Sequence, residues 1–451
     1  MFAFYDFETT GTSPAFDQPL QFAAILVNED FEELDRIDTR CRLVPHVLPA
    51  PWALAVTGVT PDQLEDPGLP TLFDFTQQLA NIIQMWGPAT WVGYNTIAFD
   101  EEVMRQALYQ NLHPDFYLTQ KAGNDRMDIM KLVYAVWELA NDALTWPTND
   151  KNQPVFKLDQ LAPANGFEHE NAHDALADVE ATIFIAQLIR ERAPKVWSQA
   201  LRNRSSARVN ELLEAGQPLQ LIERFGAAPP RSYLGAFAGR NPKLNSRVGF
   251  LDLDLVDPKE LDDGDDDLLL TAVSKSPKLV RSLAVNKFPS IYAAHEVSDE
   301  AKDRAQNLAR MKALHARIGE AMEARFADAP EPEHVEEMIY SGFFSQSDRQ
   351  VLSRVRFASW AERQSLLAEV EDHRIKTLGH RLLYAYAPDL LTGQFRDKTK
   401  EAIRTRWGAD DAPWTTFEDV EKQLAEISEQ GALPATAIAD LRSFYQAKQA
   451  F

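Results

Sequence analysis

The sequence predicts an α/β chain whose first segment holds a mixed sheet, followed by a small β-rich segment and then a helical one. Three observations predict it. Short apolar strands with turn chemistry between them crowd the first forty-odd residues, and helical periodicity then alternates with strand patterns up to about residue 192. Near residue 200 the texture changes to short apolar runs broken by Pro and Gly. From about 356 to Phe451 the pattern is helical, with few glycines.

In order along the chain, Phe2 to Glu8 alternates as a strand, and Thr9 to Pro14 ends it with turn residues. Gln21 to Val27 reads as a second strand and Ile37 to Val44 as a third. Their close succession suits an antiparallel meander. Leu72 to Trp86 has helical spacing, and Thr90 to Asn95 reads as a fourth strand. Asp100 opens a helix, a further one runs from about Asp128 to Ala140, and a long one from Asn171 to about Arg192. Residues 201–355 read as a small β domain with helical additions, including Asp299 to Phe326. The acidic run Asp262 to Asp267 reads as a solvated loop. The expected division is therefore 1–195, 201–350 and 356–451. No internal repeat is visible.

The composition narrows the classes. Hydrophobic residues at 45% and charged residues at 25% exclude wholesale disorder, a collagen-like repeat and a long coiled coil. No apolar run approaches the roughly 18–20 residues of a membrane span. The opening MFAFYDFETTG lacks a basic n-region and turns acidic at once, against a signal peptide. The single cysteine, Cys41, excludes an internal disulfide framework and a cysteine zinc site, so the expected compartment is the cytosol. The net charge of −22 taken alone argues against nucleic acid. Its distribution changes that. Residues 1–200 hold 29 acids against 12 bases, whereas residues 201–250 hold eight bases against three acids.

Four acids and one histidine carry the chemistry. Asp6 and Glu8 are two apart on a strand, so both side chains face one way and converge on one cation. Asp100 follows the Gly-Tyr-Asn turn after the fourth strand. His173 and Asp178 lie five residues apart, about 140° around a helix, with the histidine near its start. Oxygen ligands without sulfur suit hard cations such as Mg²⁺ or Mn²⁺. Two such ions can clamp the attacking and leaving oxygens of a phosphodiester, and a histidine titrating near neutrality can take a proton from water.

YDFETTG, GYNTIAFDEE and NAHDALADV resemble the three motifs of the DEDDh 3′–5′ exonucleases, whose catalytic domain has a ribonuclease H-like fold. Further segments are similar to the bacterial exodeoxyribonuclease I family within that superfamily: Pro14 to Ile25, Thr57 to Pro61, Leu161 to His169 and Tyr340 to Ser345. The resemblance covers essentially the whole chain, densest over 1–185. It implies an exonuclease domain, an SH3-like domain and a C-terminal helical domain. The implied activity is Mg²⁺-dependent, processive 3′–5′ degradation of single-stranded DNA to 5′-mononucleotides, in DNA repair and recombination.

By the same resemblance, Asp6, Glu8 and Asp178 bind the metal, with two Mg²⁺ ions in all and Mn²⁺ able to substitute. Asp6 is shared by the second ion, and Asp100 supports that ion through water. His173 is the general base, and Glu8 also meets substrate. Lys157, where the family uses a basic residue, contacts the substrate phosphate, and Arg105 and Arg126 are candidate backbone contacts. The basic stretch from 202 to 250 with Lys275, Lys278, Arg281 and Lys287 would line a groove, with Tyr233, Phe237 and Phe250 as stacking candidates. The implied partners are single-stranded DNA and the acidic C-terminal tail of single-stranded DNA-binding protein, with no membrane and a monomeric chain. Two other readings stand beside this one: an RNA-trimming or proofreading exonuclease of the same superfamily, and a catalytically silent binding module.

Overall fold

The computed structural model describes residues 1–168, 174–326 and 330–450. Strands β1 (Phe2–Thr9), β2 (Pro19–Val27), β3 (Glu33–Arg40), β4 (Thr90–Gly93) and β5 (Asp125–Asp128) form one sheet in the order β3-β2-β1-β4-β5. The links from β1 to β2 and from β2 to β3 are short, so those pairs run antiparallel. The chain reaches β4 and β5 through the helices Leu72–Trp86 and Asp100–Gln110. Such crossovers let β4 and β5 join parallel to β1.

Helices cover both faces of this sheet, which is why β2 is buried at every position. Tyr5, Phe22 and Trp91 pack on one face against Leu79 and Ile83 of the Leu72–Trp86 helix. Phe4, Ile25 and Val92 pack on the other against Val133 of the Ile129–Leu139 helix and Val179 and Ile185 of the Ala175–Arg192 helix. Strand alternation therefore puts Asp6 and Glu8 on the face of Phe2 and Phe4, the one the Ala175–Arg192 helix covers.

A second sheet follows. Strands β6 (Leu219–Glu223), β7 (Arg231–Arg240), β8 (Arg247–Asp252), β9 (Val280–Ala284) and β10 (Ile291–Ala293) pair antiparallel in the order β10-β6-β7-β8-β9. The helices Asp266–Ser274 and Lys312–Ala324 cover one side, joining Leu269, Val273 and Ile318 to Ala236 and Leu251. Gly319 lets that last helix approach β7: a Cβ there would lie 2.2 Å from the Arg240 carbonyl oxygen. The described remainder is helical, from the turn Glu337–Tyr340 to the Ala435–Gln449 helix. The overall sequence of mixed α/β sheet, antiparallel β sheet and helices is the one expected.

Several local expectations are corrected. The third strand is Glu33–Arg40 rather than Ile37 to Val44, because the backbone of Arg42 and Leu43 turns away to bond Pro70 and Leu64. Strand β5 was not foreseen; its polar residues Asp125-Arg126-Met127-Asp128 carry no alternation of apolar side chains. The acidic run is exposed, as expected, but only residues 263–265 of it are loop. It joins the helices Pro258–Asp262 and Asp266–Ser274, with Asp265 capping the second and Arg317 gripping Asp266 and the carbonyl of Gly264. The stretch from Asp299 to Phe326 is two helices that break at Met311.

The helical region packs directly on the first sheet's domain. The helices Gln346–Val355, Trp360–Leu367 and His373–Tyr386 share a core with Phe73, Tyr109 and Leu112. The helices Gly393–Trp407, Phe417–Gln430 and Ala435–Gln449 share another with Leu20, Leu48, Leu54 and Leu64. Glu336 binds this assembly from within. It is 1% exposed and accepts from Arg381 at 2.8 Å and Arg406 at 2.9 Å. Burial alone would raise its pKa, but the two guanidinium groups hold it down at about 2.

Removing one member of a buried ion cluster strands the others, at a cost of about 3–5 kcal/mol. Glu336→Gln is expected to destabilise the protein by about 3 kcal/mol at pH 7 in urea unfolding. An acid with a depressed folded-state pKa stabilises above its unfolded value, so the difference between the two proteins shrinks as pH falls from about 4.5 toward 2. A difference independent of pH contradicts the assignment.

Candidate active site

The site is built where β1 ends. Asp6 and Glu8 pair across β2 with Ala23 and Gln21, and the register shifts immediately after Glu8. The turn that follows is fixed by Asp17, which accepts from the Thr10 hydroxyl and the Ser13 amide at 2.8 Å each. Gly11 leaves room for this arrangement, since a Cβ there would lie 2.5 Å from the Asp17 carboxylate and displace it.

Asp178 comes from the first turn of the Ala175–Arg192 helix. Asp174 caps that helix through the Leu176 amide at 3.2 Å. The other Asp174 oxygen accepts from Arg40 at 2.9 Å and Gln21 at 3.2 Å, tying the helix start to β2 and β3. The result is convergence. Asp6, Glu8 and Asp178 each offer a carboxylate oxygen, and these three atoms lie within 4.8 Å of one another. All three residues are partly exposed, so an ion can reach them.

Asp100 approaches from β4. Pairing between β1 and β4 ends at Phe4 and Val92, and beyond that point the Phe7 amide donates to Asp100 Oδ1 at 3.1 Å. Gly93 permits the sharp exit, because a Cβ there would be 2.7 Å from the Tyr5 carbonyl oxygen. Asn95 takes a left-handed φ of 67°, and its amide and that of Ile97 donate to Asp128 at 3.0 and 3.3 Å. Asp128 is fully buried and also caps the Ile129–Leu139 helix. It is a positioning residue that the sequence reading missed. An aspartate before a helix is a visible cap signal, but its two bonds to a turn 31 to 33 residues away are not.

The carboxylates oppose one another electrostatically. Burial and the charges of Asp100, Glu8 and Asp178 push the Asp6 pKa well up. Burial, Asp178 and Asp100 push Glu8 up to about 8. Asp100 rises to about 7, chiefly through burial, with Asp128 and Asp178 adding to it against its backbone hydrogen bonds. Such a cluster holds either protons or a cation. Its donors are all oxygens, three of them close enough to share one ion, which fits a hard divalent cation.

The other expected residues divide. His173 lies outside the described residues. Lys157 is exposed at the start of the Leu158–Ala164 helix, and its ammonium pairs with no described residue. The Tyr94 hydroxyl donates to the preceding Phe156 carbonyl, which ties this segment to the end of β4.

Arg105 and Arg126 are corrected as DNA-backbone contacts. They are 4% and 5% exposed and both pair with buried Glu101, at 2.8 and 3.0 Å. Arg126 also donates to the Asn286 carbonyl at 2.6 Å. Phe250 is corrected as a stacking platform, since it is fully buried in the core of the second sheet. Phe237 and Tyr233 are partly buried, and Arg281 lies 3.6 Å over the Tyr233 ring.

Together, a mixed sheet with β1 at its centre and an acidic cluster at the strand ends define the exonuclease class. Residues 3–186 match the family described as Exonuclease, and residues 333–448 match the Exonuclease I C-terminal domain. The chain is 31% identical to the exodeoxyribonuclease I of Haemophilus influenzae, over 94% of this chain and 92% of that one. The solved Exonuclease I of E. coli in complex with a dT13 oligonucleotide superposes with a TM-score of 0.83 at 27% identity, covering 100% of this chain and 99% of that one. A structure of SSB/Exonuclease I in complex with inhibitor CFAM superposes with a TM-score of 0.83 at 26% identity, covering 100% and 99%. The chain belongs to the exodeoxyribonuclease I family.

An acid whose folded-state pKa is raised keeps its proton longer when folded. These groups therefore favour folding most below pH ~4 and oppose it as pH rises through about 7 and 8. In chelator, the thermal midpoint is expected to fall from pH 5 to 8.5. Added Mg²⁺ should restore it, with a gain that widens with pH. Asp6→Asn should raise the midpoint in chelator at pH 8 and abolish the gain. A gain that does not change with pH contradicts this reading.

Proposed function

We infer that this protein is a divalent-cation-dependent exonuclease that removes nucleotides from the 3′ end of single-stranded DNA and releases 5′-mononucleotides. The observation that carries the reading is the convergence of Asp6, Glu8 and Asp178 from two elements far apart in sequence. Asp100 supports them from a third. Mg²⁺ is the cation proposed, as two ions, with Mn²⁺ able to replace it. Cations bound there would stabilise charge on the scissile phosphate and sharpen a water for attack.

The chain's own groups do the rest. Asp6, Glu8 and Asp178 would hold the cations in place, and Asp100 is held beside them by the Phe7 amide. His173 is the proposed general base, taking the proton of the attacking water. A pocket beside Glu8, walled by Thr9, Thr12, Trp52, Phe99 and Lys422, offers room for the terminal nucleoside. Lys157, exposed and unpaired among the described residues, is the proposed phosphate contact. It lacks the bidentate fork of arginine and acts as a point charge.

A groove between the two sheets' domains supports the choice of a single strand. Lys131, Tyr134, Arg224, Phe225, Arg247 and Lys287 line it. Arg224 lies 4.9 Å over the Phe156 ring, next to Lys157. Cations interleaved with aromatic rings are what a single strand needs, phosphates meeting charge and bases meeting π-faces. The oligonucleotide bound to the E. coli relative supports the same substrate. The pairing of SSB with a relative supports an acidic protein tail as a further partner of this basic surface. The groove and the pocket beside Glu8 together draw on all three parts of the chain, which supports processive degradation. A role in repair and recombination follows from that activity.

A 5′-labelled oligo-dT is expected to shorten stepwise with Mg²⁺ and not in chelator, and an RNA of the same length to persist. Asp6→Ala and Asp178→Ala should each lower kcat about a thousandfold or more. Survival of activity in Asp6→Ala, or preference for RNA, overturns the proposal. Lys157→Ala should weaken DNA binding and lower the slope of log K against log salt by about 0.7, the value for one phosphate on a single strand. An unchanged slope removes Lys157 from the interface.

A further inference from the structure

The Asp100–Gln110 helix does more than carry Asp100. Glu102, Arg105, Gln106 and Tyr109 are three and four residues apart and so share one face. That face is polar, yet Arg105, Gln106 and Tyr109 are buried. It lies against the start of the helical region. The Tyr109 hydroxyl donates to the Val335 carbonyl at 2.8 Å, and Gln106 to the Glu336 carbonyl at 3.0 Å. Arg105 donates to the Tyr340 hydroxyl at 3.3 Å, and that hydroxyl donates to Glu102.

A second contact reaches Glu102 from the other side. The Lys287 ammonium pairs with it at 2.9 Å. Lys287 belongs to the turn between β9 and β10, and that turn is held on the first domain. Arg126 donates to the Asn286 carbonyl at 2.6 Å and Lys131 to the Phe288 carbonyl at 3.2 Å, while Phe288 enters the first core. One carboxylate, two residues after Asp100, thus receives a group from each of the two downstream parts of the chain. Those groups are 238 and 185 residues away. Arg105, also bound to Glu102 at 3.1 Å, closes the cluster. Burial would raise the Glu102 pKa, but Arg105, Tyr340 and Lys287 outweigh it and hold it below the ordinary glutamate value.

We propose that Glu102 is a positioning residue through which Tyr340 and Lys287 together set the placement of Asp100, so that hydrolysis is fastest when both downstream parts are seated on the first domain. The inference rests on the reading of Asp100 as part of the active site. Asp100 opens the helix and Glu102 lies in the same first turn, so a change in how that turn is held moves the Asp100 carboxylate relative to the Phe7 amide. Glu102 itself takes its bonds from Arg105, Tyr340 and Lys287 and needs none from substrate. The Tyr340 to Ser345 segment, so far without a function, acquires one. Its tyrosine reports that the helical region is docked. Phe344, stacked on Tyr109 and lying under Arg374, anchors the segment's far end.

The test uses the full chain, with kcat and KM on oligo-dT, the Mg²⁺ concentration for half-maximal rate, and the thermal midpoint. Tyr340→Phe removes one oxygen, and Lys287→Met removes one charge from a partly exposed side chain. Each is expected to lower kcat by about tenfold with little change in midpoint; KM should change less than about twofold for Tyr340→Phe, whereas Lys287→Met, which also removes a cation from the groove, should raise it as well. Each should also raise the Mg²⁺ requirement. In a Glu102→Gln background neither should lower kcat further, because both act through that carboxylate. Wild-type kcat in both single variants overturns the proposal. So does a loss that multiplies in the Glu102→Gln background, or one that merely follows the thermal midpoint. An inactive wild type, or an active Asp6→Ala, instead refutes the proposed function itself.

Discussion

Mutual repulsion among Asp6, Glu8, Asp100 and Asp178 is the constraint on which the rest of the structure depends. Four carboxylates share one end of a sheet, and among the described residues burial and the neighbouring acids are the largest influences on Asp6 and Glu8. Arg40 lowers the Glu8 pKa, yet it counts for less than burial, Asp178, Asp100 or Asp174, and it is committed to Asp174. A cluster of this kind is held together by the rigidity of the fold around it, and its charge is relieved either by protons or by a cation.

That rigidity has identifiable sources. The pleat of β1 sets Asp6 and Glu8 on one face, and the Ala175–Arg192 helix brings Asp178 to it by packing on Phe4 and Ile25. Asp174 locks the helix start to two neighbouring strands. Asp128 locks the turn that delivers Asp100, using each carboxylate oxygen on a backbone amide. The downstream parts of the chain contribute as well. They close over the Asp100–Gln110 helix and meet on Glu102, so the acidic end of the sheet is braced from outside its own domain.

Much of this was legible in the sequence, for physical reasons. Side chains two apart on a strand must share a face, so the convergence of Asp6 and Glu8 could be read directly. The turn before Asp100 and the polar face holding Asp178 announced their elements through glycine and periodicity. What escaped depended on partners far away in the chain. Arg105 and Arg126 read as free cations because nothing local shows that Glu101 is buried between them. Strand β5 was invisible because it is held by parallel pairing with β4 rather than by its own pattern. The acidic run at 262–267 is solvated as its composition indicates, but the helix ends that frame it and the Arg317 contact, 53 residues away, were not visible. Phe250 reads alike as a core residue or a platform until the second sheet's packing is known.

The most direct test of the central claim is a crystal structure grown with Mn²⁺ and measured for anomalous scattering. The account predicts a strong peak within coordination distance, about 2.0–2.3 Å, of carboxylate oxygens from Asp6, Glu8 and Asp178 together. Density with no such peak, or Mn²⁺ bound only elsewhere with these three carboxylates splayed apart, would contradict it.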